Sequence, residues 1–186
     1  MTPTGAEGTM NVDGTAVGVT FTGPLNFLTT GPGTNYWNPS APYLSPTVDN
    51  APPASDIVSL NRGGTKTIAF SRPVKNPLIA LVSWNGNTVD FGVPIEVLSF
   101  GAGFYGNGTP ILNPGGTGFF GNGEVHGVIR LPGTFSQITF TDSTEGWHGF
   151  TVGVQELPNN DVPEPASLAL ASLGLVAVAR LRRRSK

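Results

Sequence analysis

The chain's two histidines each follow a glutamate, in Glu124-x-His126 and Glu145-x-x-His148. Imidazole beside carboxylate is the donor set of many divalent metal sites and of general acid–base pairs. Both motifs are flanked by glycine, and we assign them no metal and no cofactor: the histidines read as partly exposed polar positions at strand ends. Asp90, Glu96, Asp142 and Glu145 are carboxylates that could pair across a glycosidic bond, but linear spacing does not bring any two together. There is no G-x-S-x-G nucleophile elbow and no cysteine, which removes serine-elbow and thiolate chemistry. Gly101-x-Gly103 begins like a dinucleotide fingerprint, yet Pro110 and Pro114 stand where the following helix would run. Asn11-Val12-Asp13-Gly14 lacks the spaced carboxylates of a calcium loop and reads as a turn. No catalytic residue is assigned.

A second pattern is aromatic. Gly103-Phe104-Tyr105-Gly106-Asn107-Gly108 is echoed by Gly118-Phe119-Phe120-Gly121-Asn122-Gly123. One reading is a pair of hairpin-like turns whose Asn-Gly ends accept positive φ while the aromatics cap the core. The other presents Tyr105 and Phe120 as stacking platforms for sugar rings, since aromatic faces offer large area at low entropy cost. In Trp147-His148-Gly149-Phe150, the expectation is that Trp147 and Phe150 plug one end of the core.

These residues need a scaffold, and the sequence predicts an all-β one. Gly and Pro make up 43 of 186 residues and only 12% are charged, which favours many turns over long helices. Val17, Val19 and Phe21 alternate with small or polar residues, as a half-buried strand does, and Thr67 to Ser71 repeats this with Ile68 and Phe70 inward. Pro77 to Trp84 is an apolar run closed by Asn85-Gly86, the pattern of a central strand ending in a tight turn. Residues 96–100, 125–131, 135–141 and 150–155 complete the set, with turns at Pro132-Gly133 and from Asp142 to Gly146. The expected architecture is an antiparallel β-sandwich or jelly roll of seven to nine strands spanning 1–157. Residues 31–56, with six prolines and no clean period, read as a long loop, functional or disordered. Residues 158–161 read as a linker.

The last residues carry a different signal. Val162, Pro163, Glu164 and Pro165 precede an uncharged run, with a single transmembrane helix expected over 166–181. Arg180, Arg182, Arg183 and Arg184 then form a cytoplasmic stop in keeping with the positive-inside bias. Residues 1–165 hold five positive and twelve negative charges, a formal net of −7, so an acidic body precedes a basic stub. That balance argues against nucleic acid as a partner. The two prolines hold the strip around Glu164 extended, a form that a processing enzyme can take up.

Val162-Pro163-Glu164-Pro165-Ala166-Ser167, a short apolar run and a terminal arginine cluster resemble the PEP-CTERM sorting signal of Gram-negative bacteria. The resemblance covers residues 162–186. It implies that a membrane exosortase recognises Pro163, Glu164 and Pro165, removes the tail and delivers the body through the cell envelope to the cell surface or extracellular matrix. A strand near 135–141, an acidic turn and Trp147-His148-Gly149-Phe150-Thr151-Val152 are also similar to β-sandwich bodies joined to this tail. Such substrates need an export signal, and residues 1–17 show neither a basic n-region nor an apolar h-region, so the signal is expected upstream of Met1. The function expected is structural or carbohydrate-binding, in contact with extracellular polysaccharide and without enzymatic activity. Alternatives are a secreted glycan-active hydrolase or an ice-binding protein, although the Thr-x-Thr triplets at 20–22, 65–67 and 139–141 do not recur at a solenoid period.

Overall fold

The computed structural model describes residues 4–158, in twelve antiparallel strands and one 3-10 turn, Ala41–Tyr43. In chain order the strands are β1 (Gly5–Val12), β2 (Thr15–Thr22), β3 (Phe27–Thr29), β4 (Ile57–Leu60), β5 (Gly64–Trp84) and β6 (Thr88–Asp90). There follow β7 (Glu96–Phe100), β8 (Gly108–Leu112), β9 (Gly118–Gly123), β10 (Val125–Arg130), β11 (Thr134–Asp142) and β12 (His148–Glu156). The expected linker 158–161, sorting motif Val162 to Pro165, helix 166–181 and arginine stop lie in or run into the segment outside the described residues. Among the described residues no helix is long and apolar enough to cross a membrane.

The 21-residue β5 is the spine. Its first half pairs with β2 on one side and β11 on the other, while its second half pairs with β10 and β12. The sheet therefore curls on itself, one arm running β1-β2-β5-β11-β6-β9-β8 and the other β3-β4-β12-β5-β10-β7. Both arms point side chains into one core, where Val17, Phe21, Ile68 and Phe140 meet Leu60, Ile79, Leu81, Ile129 and Phe150. This all-β body is consistent with a sandwich.

β5 replaces two separately expected strands, and two residues explain how one chain serves both arms. A strand shows alternate residues to each face. In β5 the main core takes Ile68, Phe70 and Val74, then Ile79 and Leu81, then Trp84, so the buried phase reverses twice. Asn76 at φ 50° and Ser83 at φ 59° sit at the reversals. Each acts as an inserted bulge residue that turns the strand over. Ser71 to Pro73 have no ladder partner, which is where a proline without an N–H does least harm.

The long segment 31–56 is ordered by packing. It lies across the outer face of β5 and β10 as a strap, burying Trp37, Tyr43 and Val48 against Ala80, Val82 and Val128. Trp37 Nε1 donates to Asp56 O at 3.2 Å, and its ring meets Tyr43 edge-on at 5.2 Å. The uninterrupted apolar run of β5 follows from this: Ile79 and Leu81 face the main core, and Leu78, Ala80 and Val82 the strap.

The strand count exceeds the expected seven to nine because glycine-rich and edge strands escape a periodicity reading. The second copy of the aromatic repeat is strand β9 rather than a turn. A Cβ on Gly118 would lie 2.0 Å from Val89 O, and one on Gly121 would lie 2.2 Å from Trp84 O. These glycines let β9 lie flush on its neighbours. The Asn11 to Gly14 turn is as expected: Gly14 N–H donates to Asn11 Oδ1 at 2.8 Å, closing the β1–β2 hairpin.

Candidate functional site

Five aromatic rings from four separate segments meet at the surface: Phe27 of β3, Tyr36 of the strap, Phe104 and Tyr105 between β7 and β8, and Trp147 before β12. Tyr36 lies 5.2 Å from both Phe104 and Trp147, and Tyr105 lies 5.2 Å from Trp147, centroid to centroid. Phe104 and Tyr105 remain 43% and 47% exposed, an unusual fate for large rings that already touch one another.

Local chemistry sets the Phe104-Tyr105 corner. Gly103 and Gly106 exchange backbone hydrogen bonds at 2.7 and 3.3 Å, and Gly106 takes φ 135°, a conformation costly for residues with a Cβ. A Cβ on Gly103 would come within 2.2 Å of the His126 ring, so glycine lets the loop lie directly on the imidazole. Tyr105 N–H then donates to His126 Nε2 at 3.4 Å, which leaves Nδ1 to carry the proton and donate to Tyr43 Oη at 3.1 Å. One buried, neutral histidine thus ties the loop to the strap.

Burial pushes the His126 pKa down to about 4, against a smaller upward pull from Glu124. The unfolded chain protonates this residue near pH 6.5, so its contribution is complete above that pH and is lost as pH falls towards 4. The expected cost is about 3 kcal/mol across the window. Urea unfolding from pH 7 to 4 should show His126→Gln losing less stability than the wild type by about that amount. A His126 imidazole that titrates near pH 6.5 by NMR would contradict this.

Beside the rings lie two carboxylates joined by one asparagine. Glu124 accepts from Ser83 Oγ at 2.5 Å and from Asn85 Nδ2 at 2.7 Å, while Glu145 Oε1 accepts the Asn85 N–H at 2.9 Å. The Asn85-Gly86 turn and the Ser83 bulge at the end of β5 make this possible, since they present side chain and backbone to both acids.

Beneath Glu145 is a buried charge network. His148 Nε2 lies 3.1 Å from Asp142 Oδ2, and its Nδ1 lies 3.2 Å from Glu145 Oε2, off the line of a good hydrogen bond. Asp142 Oδ1 takes the Lys66 ammonium, which also donates to Arg62 O at 2.8 Å. Burial pulls the His148 pKa down, but the two flanking carboxylates outweigh it and the net position is raised. Burial likewise raises Glu145, against the pull of His148 and the Asn85 N–H.

The two Glu/His motifs are therefore brought together through Asn85, yet both histidines are fully buried rather than partly exposed. The hydrogen bonds to Tyr43, Tyr105 and Asp142 make burial tolerable, and glycine flanks allow the close packing. No group of three or more His, Asp or Glu suited to a metal occurs among the described residues. Asp90 accepts from Gly92 N–H at 2.8 Å and Glu96 pairs with Arg130.

Tyr105 sits at the centre of the ring cluster. Phe120 does not join it: it is 42% exposed on β9, opposite Ile111 of β8. Phe150 enters the main core as expected, whereas Trp147 faces outward into the cluster. Tyr36, Phe104, Glu124 and Asn85 carry no binding role in the sequence reading, where Glu124 stands only in the Glu-x-His motif, Phe104 in the aromatic repeat and Asn85 in a turn.

Residues 161–184 match the model of the PEP-CTERM protein-sorting motif. That motif implies exosortase processing and export to the cell envelope or surface. No curated protein and no solved structure matches the chain.

Proposed function

We propose that this is an exosortase-sorted surface protein whose body is a non-catalytic, sandwich-type glycan-binding module, with the Tyr105–Trp147 ring cluster as its binding face. The observation that carries the reading is the partial exposure of that cluster on a body followed by an export-and-sorting motif. Stacking on sugar rings needs open aromatic faces held rigidly, and the strap, His126 and the Gly103–Gly106 turn hold them here. The charged side chains best suited to chemistry, Lys66, Asp142 and His148, are spent on one another in the interior.

Affinity electrophoresis of the full chain in gels containing polysaccharide from the producing cells tests the reading. Tyr105→Ala with Trp147→Ala should reduce retardation at least about tenfold, the loss expected for two stacking faces. Phe120→Ala should leave it unchanged. Equal retardation of the double variant and wild type would overturn the assignment. The hydrolase alternative rests on the Glu124–Asn85–Glu145 arrangement; sugar release that disappears in Glu145→Gln would favour it over pure binding.

A further inference from the structure

The acids beside the rings differ in how their charge is balanced. Lys66 and Asp142 form one buried pair, and His148 lies between Asp142 and Glu145. Glu124 has only neutral partners, the Ser83 hydroxyl and the Asn85 amide, and no ion pair among the described residues reaches it. Among the described residues the other cations form no pair with it: Lys75 pairs with Glu156 and Arg130 with Glu96, while Arg62 and Arg72 join no ion pair there. Glu124 is nonetheless half-buried, where an unbalanced carboxylate is costly.

Its position is defined from both sides. Gly106, next to Tyr105, lies over the Glu124 stem, so that a Cβ there would be 3.6 Å from Glu124 Cγ. On the other side Asn85 links it to Glu145, two residues before Trp147. The Tyr105 phenol is raised above its ordinary range by burial, by Tyr36 and by the negative charge of Glu124, in line with that proximity. Aromatic faces and one unbalanced carboxylate are the two halves of a cation site, since ring faces attract ammonium groups and a carboxylate neutralises them.

Building on the glycan-binding reading, we infer that the preferred ligand is a glycan bearing free amines, its protonated amino group held between the Tyr105 and Trp147 rings and the Glu124 carboxylate. A uronate or sulfated polymer is disfavoured, because an anion there would meet Glu124 directly.

Three soluble oligosaccharides of equal length separate the possibilities: a glucosamine oligomer, its fully N-acetylated counterpart and an oligouronate. Calorimetric titration of the full chain, at low salt and mildly acidic pH, should show the amine form binding at least about tenfold tighter than the acetylated one. Glu124→Gln should erase that preference, and its unfolding midpoint reports that the fold survives. Equal affinity for the amine and acetylated forms, preference for the uronate, or a preference that survives Glu124→Gln would overturn the amine assignment but leave glycan binding standing. Binding of none of the three would count against both.

Discussion

Replacing Lys66 with methionine should destabilise the body by about 3–5 kcal/mol, read from urea unfolding at neutral pH. Lys66 and Asp142 are both wholly buried, and the ammonium also serves the carbonyls of Arg62 and Gly64. Removing the cation strands Asp142 in a low-dielectric interior and leaves those acceptors short of a donor. A domain of this size has about 5–15 kcal/mol in total, so the variant should be marginal and should expose Trp84, whose ring lies 4.4 Å from His148. Asp142→Asn added to Lys66→Met removes the stranded charge while keeping an acceptor for His148, and should recover part of the loss. A single-variant effect below about 1 kcal/mol would show that the pair is dispensable.

The second large effect concerns processing. Glu164→Ala together with Pro163→Ala should leave the chain at its full-length mass in the envelope fraction, with no released or surface-attached body. Residues 161–184 match the sorting motif, and Pro163, Glu164 and Pro165 lie within it. Intact-mass analysis of cell fractions, from strains with and without the exosortase, would follow it. Identical processing of variant and wild type would remove the Pro-Glu-Pro strip from the recognition step.

How much was legible depended on the range of the interactions involved. Period-two alternation in Val17, Val19 and Phe21 and the apolar run to Trp84 identified β2 and the second half of β5, because one-sided or two-sided burial writes itself into successive residues. β1 is an edge strand with mostly exposed residues, β8 carries Pro110, and β9 is half glycine; none needs apolar alternation to stay paired. The continuity of β5 was hidden because Asn76 and Ser83 shift the buried phase mid-strand. The site was less legible still. Tyr105 stood out through the Gly-Phe-Tyr-Gly turn, but Tyr36 and Trp147 are more than a hundred residues apart, and only the strap brings them to 5.2 Å. Lys66 sits in a Thr-Lys-Thr triplet that gives no hint of a buried ion pair. Long-range polar partnerships leave no local period.

The central claim is that the ring cluster is where polysaccharide binds, and tryptophan quenching addresses it directly. Trp37 and Trp84 are 2% and 1% exposed, so Trp147, half-buried in the cluster, is the tryptophan open to a soluble quencher. Titrating the full chain with polysaccharide from the producing cells should protect one accessible class of emission from acrylamide, and Trp147→Phe should abolish that class. Saturable polysaccharide binding with Trp147 quenched as freely as before would place the binding face elsewhere on the body and contradict the account.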